Sequence, residues 1–525
     1  MNTRNILIIT ALFGFLSVCG QTKLRKMPPN INHTTVNNFA PYISLDGNTL
    51  VYVADMGEDY SYTLCSSTRV GVNWQDPIVL PKTVNSRLNF LKGYGLSPDG
   101  KTLYISSRRD NGMGGFDLYT SNFTGLIWTN PVNMLLPANS KSNEACPSIS
   151  LDNTMMFYMR CDKMDETKAD ECKLLMMMRK SNGQWDAPVE LPASINSGNS
   201  QAPRMMADGE TLIFSSNKLQ PNKGGMDLYM SKLNNGLWSA PQPLDFANTT
   251  GDDVFVSATS IGRYLLKDTK GLHNNELVEV LFPQEIRPKG IMKVEGLIAG
   301  PQDPSSTFVT VFNNKDQKKF FSTKPGKDGA FVSYFKEGGI YDLSVDPEKD
   351  NYAFFSKRFD LTVENFPLLE KVNIVLKPAA PGDDFELDGI SFKPSTAELT
   401  SSSNQELRRL TRLIQGNPDK FFSIMVTLNG YQKDSVRSNP DLTEVHLDSL
   451  KFPVRYKIDS VTTGMRDSVV VKSTYHNDRT LRQAKAIGDY LLSQGVPAGH
   501  VSHSGKAIVE TVPENRKTKV NVTIP

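Results

Sequence analysis

Few residues in this chain are spaced for chemistry. His500 and His503 lie three apart beside a strand-like stretch, which is half of a metal site. No third ligand is evident nearby, and surface histidines are the commoner meaning of such a pair. Cys161 and Cys172 flank the polar segment DKMDETKADE and form the best disulfide candidate. Their spacing is too wide for a C-x-x-C redox motif or a zinc knuckle. The runs Gly112-Met113-Gly114-Gly115 and Gly224-Gly225 look like phosphate loops. A phosphate loop needs a helix N-terminus behind it to supply N–H donors, and here a strand follows. Asp117 and Asp227 recur within a repeated Gly-Gly-x-Asp-Leu-Tyr segment, so each is expected to hold a neighbouring turn rather than to react. No nucleophile stands with a base. The expectation is a protein that is not an enzyme, with no cofactor and no metal.

The elements that would position these residues start behind an export signal. Met1–Asn5 carries Arg4, and Ile6 to Val18 is an unbroken apolar run, too short for a membrane span in a mature protein. Val18-Cys19-Gly20 then gives small residues, so residues 1–20 read as a signal peptide cleaved before Gln21. Leu16-Ser17-Val18-Cys19 offers the alternative of lipidation at Cys19, although Val18 is bulky for that site. An oxidising compartment lets the remaining four cysteines pair. The chain has 525 residues, more than one core can serve, and suggests about three domains at roughly 150 residues each. Its 58 basic and 56 acidic side chains nearly cancel, which argues against a nucleic-acid partner. No later stretch is long and apolar enough to span a bilayer.

Residues 21–285 are repetitive. All four tryptophans stand in W-x-x-P: Trp74, Trp128, Trp185 and Trp238, at intervals of 54, 57 and 53. Upstream of each lies an Asp-Gly-type turn between apolar alternations, at Asp46, Asp99, Asp152 and Asp208. A fifth, degenerate copy surrounds Ile261-Gly262. Asp-Gly tolerates positive φ and joins two strands in a tight hairpin. Four short strands at such a period make a propeller blade, and blades must stack to cover their faces. About five blades are expected. The combination of S-x-D-G-x-x-[LI] with G-G-x-D-L-Y resembles the WD-like repeats of the TolB group of β-propellers.

Residues 286–378 switch to short strands separated by Gly, Pro, Asp and Asn, as in IMKVEGLIAG and KVNIVLKP. They imply a seven-stranded β-sandwich. Thr323 to Phe331 and Gly338-Gly339-Ile340-Tyr341 resemble carboxypeptidase-regulatory-like modules, which are spacers without catalysis. Residues 379–389 read as a stiff linker. Residues 390–525 alternate strands with two amphipathic helices. The first has Leu407, Leu410, Leu413 and Ile414 inside; the second has Leu481, Ala484, Ile487 and Leu491 inside.

The order β-α-β-α-β, with Phe392…Ala397-Glu398-Leu399 at the front and Asn515-Arg516-Lys517 before the last strand, resembles the OmpA C-terminal domain. The resemblance implies an α/β sandwich that grips the carboxylate and amine of peptidoglycan stems with one Asp and one Arg. This sequence departs at both positions. Lys433 stands at the Asp position with Asp434 beside it, and Lys485 stands at the Arg position. An inserted hairpin of about 40 residues, Ser435 to Thr474, separates them. Asp478 and Arg479 could supply the pair instead, and Arg516 lies near the last strand. An equal reading makes Asn477 or Asp478 a helix cap. The three-module order resembles PorE-type envelope proteins of type IX secretion and gliding, which carry a helical repeat array absent here. The implied function is a scaffold or adaptor in the periplasm, associated with the outer membrane and cell wall. The propeller would bind an outer-membrane or periplasmic protein partner, and the C-terminal domain would bind peptidoglycan. The alternative is a propeller hydrolase or lyase acting on glycans.

Overall fold

A computed structural model describes residues 24–55, 62–86, 89–90, 92–315, 318–347, 352–363, 366–394, 396–429, 444–460, 462–476, 479–508 and 517–525. The expected signal peptide and Cys19 lie outside these residues. The chain divides into two compact units, Met1–Ile291 and Met292–Pro525.

The first unit is a β-propeller built from consecutive antiparallel sheets. The first blade runs Asn37–Ile43, Thr49–Asp55, Thr63–Val70, then the short outer pieces Asn73–Trp74 and Ile78–Val79. The second to fourth blades begin at Gly95–Leu96, Asn143–Ile149 and Ser200–Met205, and the fifth at Val256–Ser257. The outer strand of the fifth blade is Leu24–Lys26, which pairs antiparallel with Asn275–Leu281 and closes the ring. Sequence reading missed this strand because its partner lies some 250 residues away. The W-x-x-P segments are not continuous strands. In the second blade Trp128 forms an isolated bridge to Phe123, and the outer strand Val132–Asn133 begins only after Pro131. Edge strands this short, flanked by proline, offer little template for pairing with other chains.

Three of the four Asp-Gly-type turns are held the same way, while at Asp208 the Thr211 hydroxyl and N–H donate to the carboxylate instead. Ser44 Oγ donates to Asp46 at 2.5 Å and accepts from Thr49 N–H at 2.9 Å; Ser97 with Asp99 and Ser150 with Asp152 repeat this geometry. Asp117 accepts from the backbone of Met113 and Gly114 and from Asn133 Nδ2. It is a turn-holding residue. A Cβ on Gly114 would meet Ser142 O at 2.4 Å and one on Gly115 would meet Asn143 Oδ1 at 2.0 Å, so these glycines admit the loop of the next blade.

In the second unit seven strands form two sheets. One contains Ala330–Lys336, Ile291–Ala299 and Leu369–Val375; the other contains Lys318–Thr323, Phe308–Asn313, Ile340–Asp346 and Phe355–Asp360. Phe335 from one sheet stacks on Tyr341 from the other, with centroids 5.0 Å apart. The segment expected to be a linker is structured. Ala379 is buried, Lys377 pairs with Asp383, and Asp384–Glu386 is the edge strand of a four-stranded sheet. That sheet continues through Thr518–Thr523, Phe422–Asn429 and Val501–Ile508. Helices α1 (Asn404–Gln415) and α2 (Arg479–Ser493) bury Leu407, Leu410, Ile414, Ala484, Ile487 and Leu491 against it. Leu481, expected inside, is half exposed; Thr480 and Gln483 take the inward positions. Glu444–Lys457 and Thr463–His476 form a separate two-stranded hairpin.

Candidate functional site

The helix and the last strand of the second unit enclose a cleft of about 380 Å³. Its walls come from the loop Leu387–Pro394, from Arg479 and Gln483 on α2, from Lys517–Val520, and from Arg358 on the strand Phe355–Asp360. Most of its charges are tied from outside. Arg358 grips both oxygens of Asp342, at 2.7 and 3.0 Å, and donates to Gly389 O at 3.3 Å. Lys517 and Lys519 share Glu386 at 3.3 and 3.2 Å. Burial works against the Glu386 carboxylate, but these two ammonium groups outweigh it and hold its pKa below the usual value. Lys393 is paired with Glu398. Gln483 donates to Thr396 O at 2.9 Å, which fixes its amide at the mouth.

Two further groups line this cleft. Arg479, at the first turn of α2, is only 3% exposed. Asp388 is pushed above its ordinary pKa, first by burial and then by the neighbouring Glu386 charge. A buried guanidinium and a carboxyl in one small cavity can bind a carboxylate and an amine of a single ligand.

The structure brings Arg479 into the cleft and leaves Lys485 out of it. Lys485 is exposed on another face of α2, and Gln483, a residue that sequence reading passed over, lines the wall instead. At 100° per residue a shift of two positions moves a side chain to the far side of a helix. Asp434, Asp478 and Arg516 lie outside the described residues. Asp388 was also missed, and its only sequence signal is its place just before Ile390-Ser391-Phe392. His503 is exposed, and no group of three metal-ligating side chains occurs among the described residues. Cys161 and Cys172 form a disulfide at directly opposed positions of the hairpin Met155–Met164 and Ala169–Met178. The polar segment between them is therefore not a loop, because both strands run on past the bond. Cys65 and Cys146 are buried free thiols, pushed up to about 11 and about 12 by burial.

At the propeller axis Arg204, from the fourth blade, fills the centre. It donates to Val256 O of the fifth blade at 3.0 Å and to Pro147 O of the third at 3.4 Å. It also reaches Tyr94 O of the second at 3.2 Å and covers the Tyr42 ring of the first at 3.9 Å.

No family profile matches the sequence, and no curated protein matches it. Among solved structures, the chain is similar to a TolB candidate from Agrobacterium tumefaciens (16% identity, 57% of this chain and 90% of that one, TM-score 0.29). It is similar to TolB from Acinetobacter baumannii (14% identity, 58% and 62%, TM-score 0.29). It is also similar to an oligogalacturonate lyase from Vibrio parahaemolyticus (10% identity, 51% and 96%, TM-score 0.30). The chain thus spans under two thirds of the Acinetobacter protein. No helix among the described residues is long and apolar enough to cross a membrane.

Proposed function

We propose that this chain is a non-catalytic scaffold or adaptor of the cell envelope. Its OmpA-like C-terminal domain attaches to peptidoglycan and its propeller binds a protein partner, in the periplasm at the outer membrane and wall. A role in type IX secretion or gliding fits the module order. The observation that carries the reading is a single cleft lined by both buried Arg479 and Asp388, a guanidinium and a carboxyl of the kinds a zwitterionic stem peptide requires.

The test is co-sedimentation of the chain from Gln21 to Pro525 with purified peptidoglycan sacculi. The parent chain is expected in the pellet, with Arg479→Ala and Asp388→Asn shifted toward the supernatant. Thermal melts of both variants separate lost binding from lost fold. A parent chain that stays in the supernatant removes the wall-binding half of the proposal.

A further inference from the structure

A second cleft of the same unit, of about 560 Å³, lies between the strand face of Thr310 and Lys319 and the outer face of α1. Its walls carry Lys319, Arg408, Arg409 and Arg412, and none of the residues lining it is acidic. Two carboxylates lie behind them. Asp346 takes Arg409 at 2.8 Å and Arg412 at 3.2 Å, and buried Glu406 stands 3.7 Å from Arg409. Among the described residues, four cations against two carboxylates leave a surplus of positive charge, and it sits on Lys319 and Arg408, both exposed. Arg408 and Arg412 are one turn apart on the same helix. Like charges at that spacing repel and weaken an isolated helix; Asp346 offsets Arg412 at 3.2 Å, and a further anion at Arg408 would relieve the rest.

We infer that this cleft docks an acidic, extended peptide segment of a partner protein. Residues i and i+4 of a helix present their side chains about 6 Å apart, and alternate residues of an extended strand recur every ~6.6 Å. Carboxylates on every second residue of an extended peptide therefore meet Arg408 and Arg412 in register. Guanidinium forks take carboxylates with two parallel hydrogen bonds. Gln405 and Gln494 also line the cleft. Each offers a donor and an acceptor, which suits peptide groups, whereas a phosphate polymer supplies no donor. This surface is independent of the peptidoglycan cleft and does not depend on that reading.

The experiment titrates the Gln21–Pro525 chain into a fluorescently labelled (Asp-Ser)4 peptide at low salt and follows anisotropy. Saturable binding is expected that weakens as salt rises. The charge reversals Arg408→Glu and Lys319→Glu should each lower affinity at least tenfold while leaving sacculus co-sedimentation unchanged. A (Lys-Ser)4 peptide should not bind. Absence of saturable binding, or binding unaffected by either reversal, overturns the inference. So does competition by inorganic phosphate at equal charge, or preferential recruitment to phosphatidylglycerol vesicles, each of which assigns the cleft to another anion.

Discussion

The Arg204 guanidinium of the fourth blade donates to the Val256 carbonyl of the fifth at 3.0 Å, and the same group touches every other blade. The innermost strands carry bulges at Ala40, Cys146 and Ala202, each with positive φ and each followed by proline. A bulge turns backbone carbonyls out of the ladder. Buried carbonyls without donors are costly, and one planar side chain with five N–H groups satisfies several of them. Arg204→Met should therefore lower stability by about 2–4 kcal/mol in urea unfolding, since it leaves several buried acceptors unmet. Arg204→Lys should recover only part, because an ammonium cannot reach three directions in one plane. Equal midpoints for Arg204→Met and the parent would show that the axis is not held by this residue.

A second device repeats in every blade. The Asn139 side chain accepts from Leu118 N–H at 2.7 Å and donates to Leu118 O at 3.0 Å, extending the ladder as a strand would. Asn85 does this to Leu64, Asn196 to Leu174, Asn248 to Leu228 and Asn32 to Leu277. Asn139→Leu should cost roughly 2–4 kcal/mol by leaving a buried N–H and C=O unpaired. Asn139→Asp keeps the acceptor and loses the donor, and should fall between. Hydrogen exchange at the Leu118 amide is the direct readout; unchanged protection in Asn139→Leu rules the clamp out.

These asparagines were as legible as the tryptophans. They recur at intervals of 53, 54, 57 and 52, the blade period itself. Trp, Asp and Gly draw attention first because their rarity or turn chemistry is visible locally, whereas an Asn in a polar stretch shows its purpose only against a distant strand. The same limit hid Leu24–Lys26. Binary pattern identified both helices and the sandwich strands other than Phe355–Asp360, because burial of a face is a local periodicity. The register of α2 was misjudged by anchoring it on Leu481, which is half exposed, instead of on Thr480 and Gln483. Polar residues facing inward defeat a pattern of apolar spacing, and a binding cleft is where they face inward.

The tryptophans are not equivalent. Trp128 is 5% exposed and packs on Phe123 with centroids 5.3 Å apart. Trp185 is only partly buried and lies under Arg179 at 5.5 Å. Trp128→Ala should cost about 3–5 kcal/mol. Trp185→Ala should cost roughly 1 kcal/mol, mostly the lost cation–π contact and partial burial. Comparable losses in thermal melts would mean that the outer tryptophans share one structural duty despite their exposure.

Glu406 gives the second unit a pH dependence. It is fully enclosed at the seam between α1 and the strand Phe355–Asp360, taking the Ser356 hydroxyl, with Arg409 at 3.7 Å. Burial raises its pKa from 4.5 to about 7, and Asp342 adds repulsion, while Ser356, Arg409 and the Gly389 backbone act the other way. The folded state therefore holds this proton more tightly than the unfolded chain does. Stability from that preference is fully present below the unfolded value of 4.5, declines as pH rises from there to about 7, and is constant above. A shift of this size corresponds to roughly 3 kcal/mol. Glu406→Gln keeps the shape and an acceptor for Ser356 but cannot ionise. Its stability relative to the parent should rise between pH 4.5 and 7 and then level off, measured by denaturant unfolding of the residue 292–525 transition at several pH values. A difference that stays flat across that window would mean that Arg409 keeps Glu406 ionised throughout, and that the seam is a conventional buried ion pair.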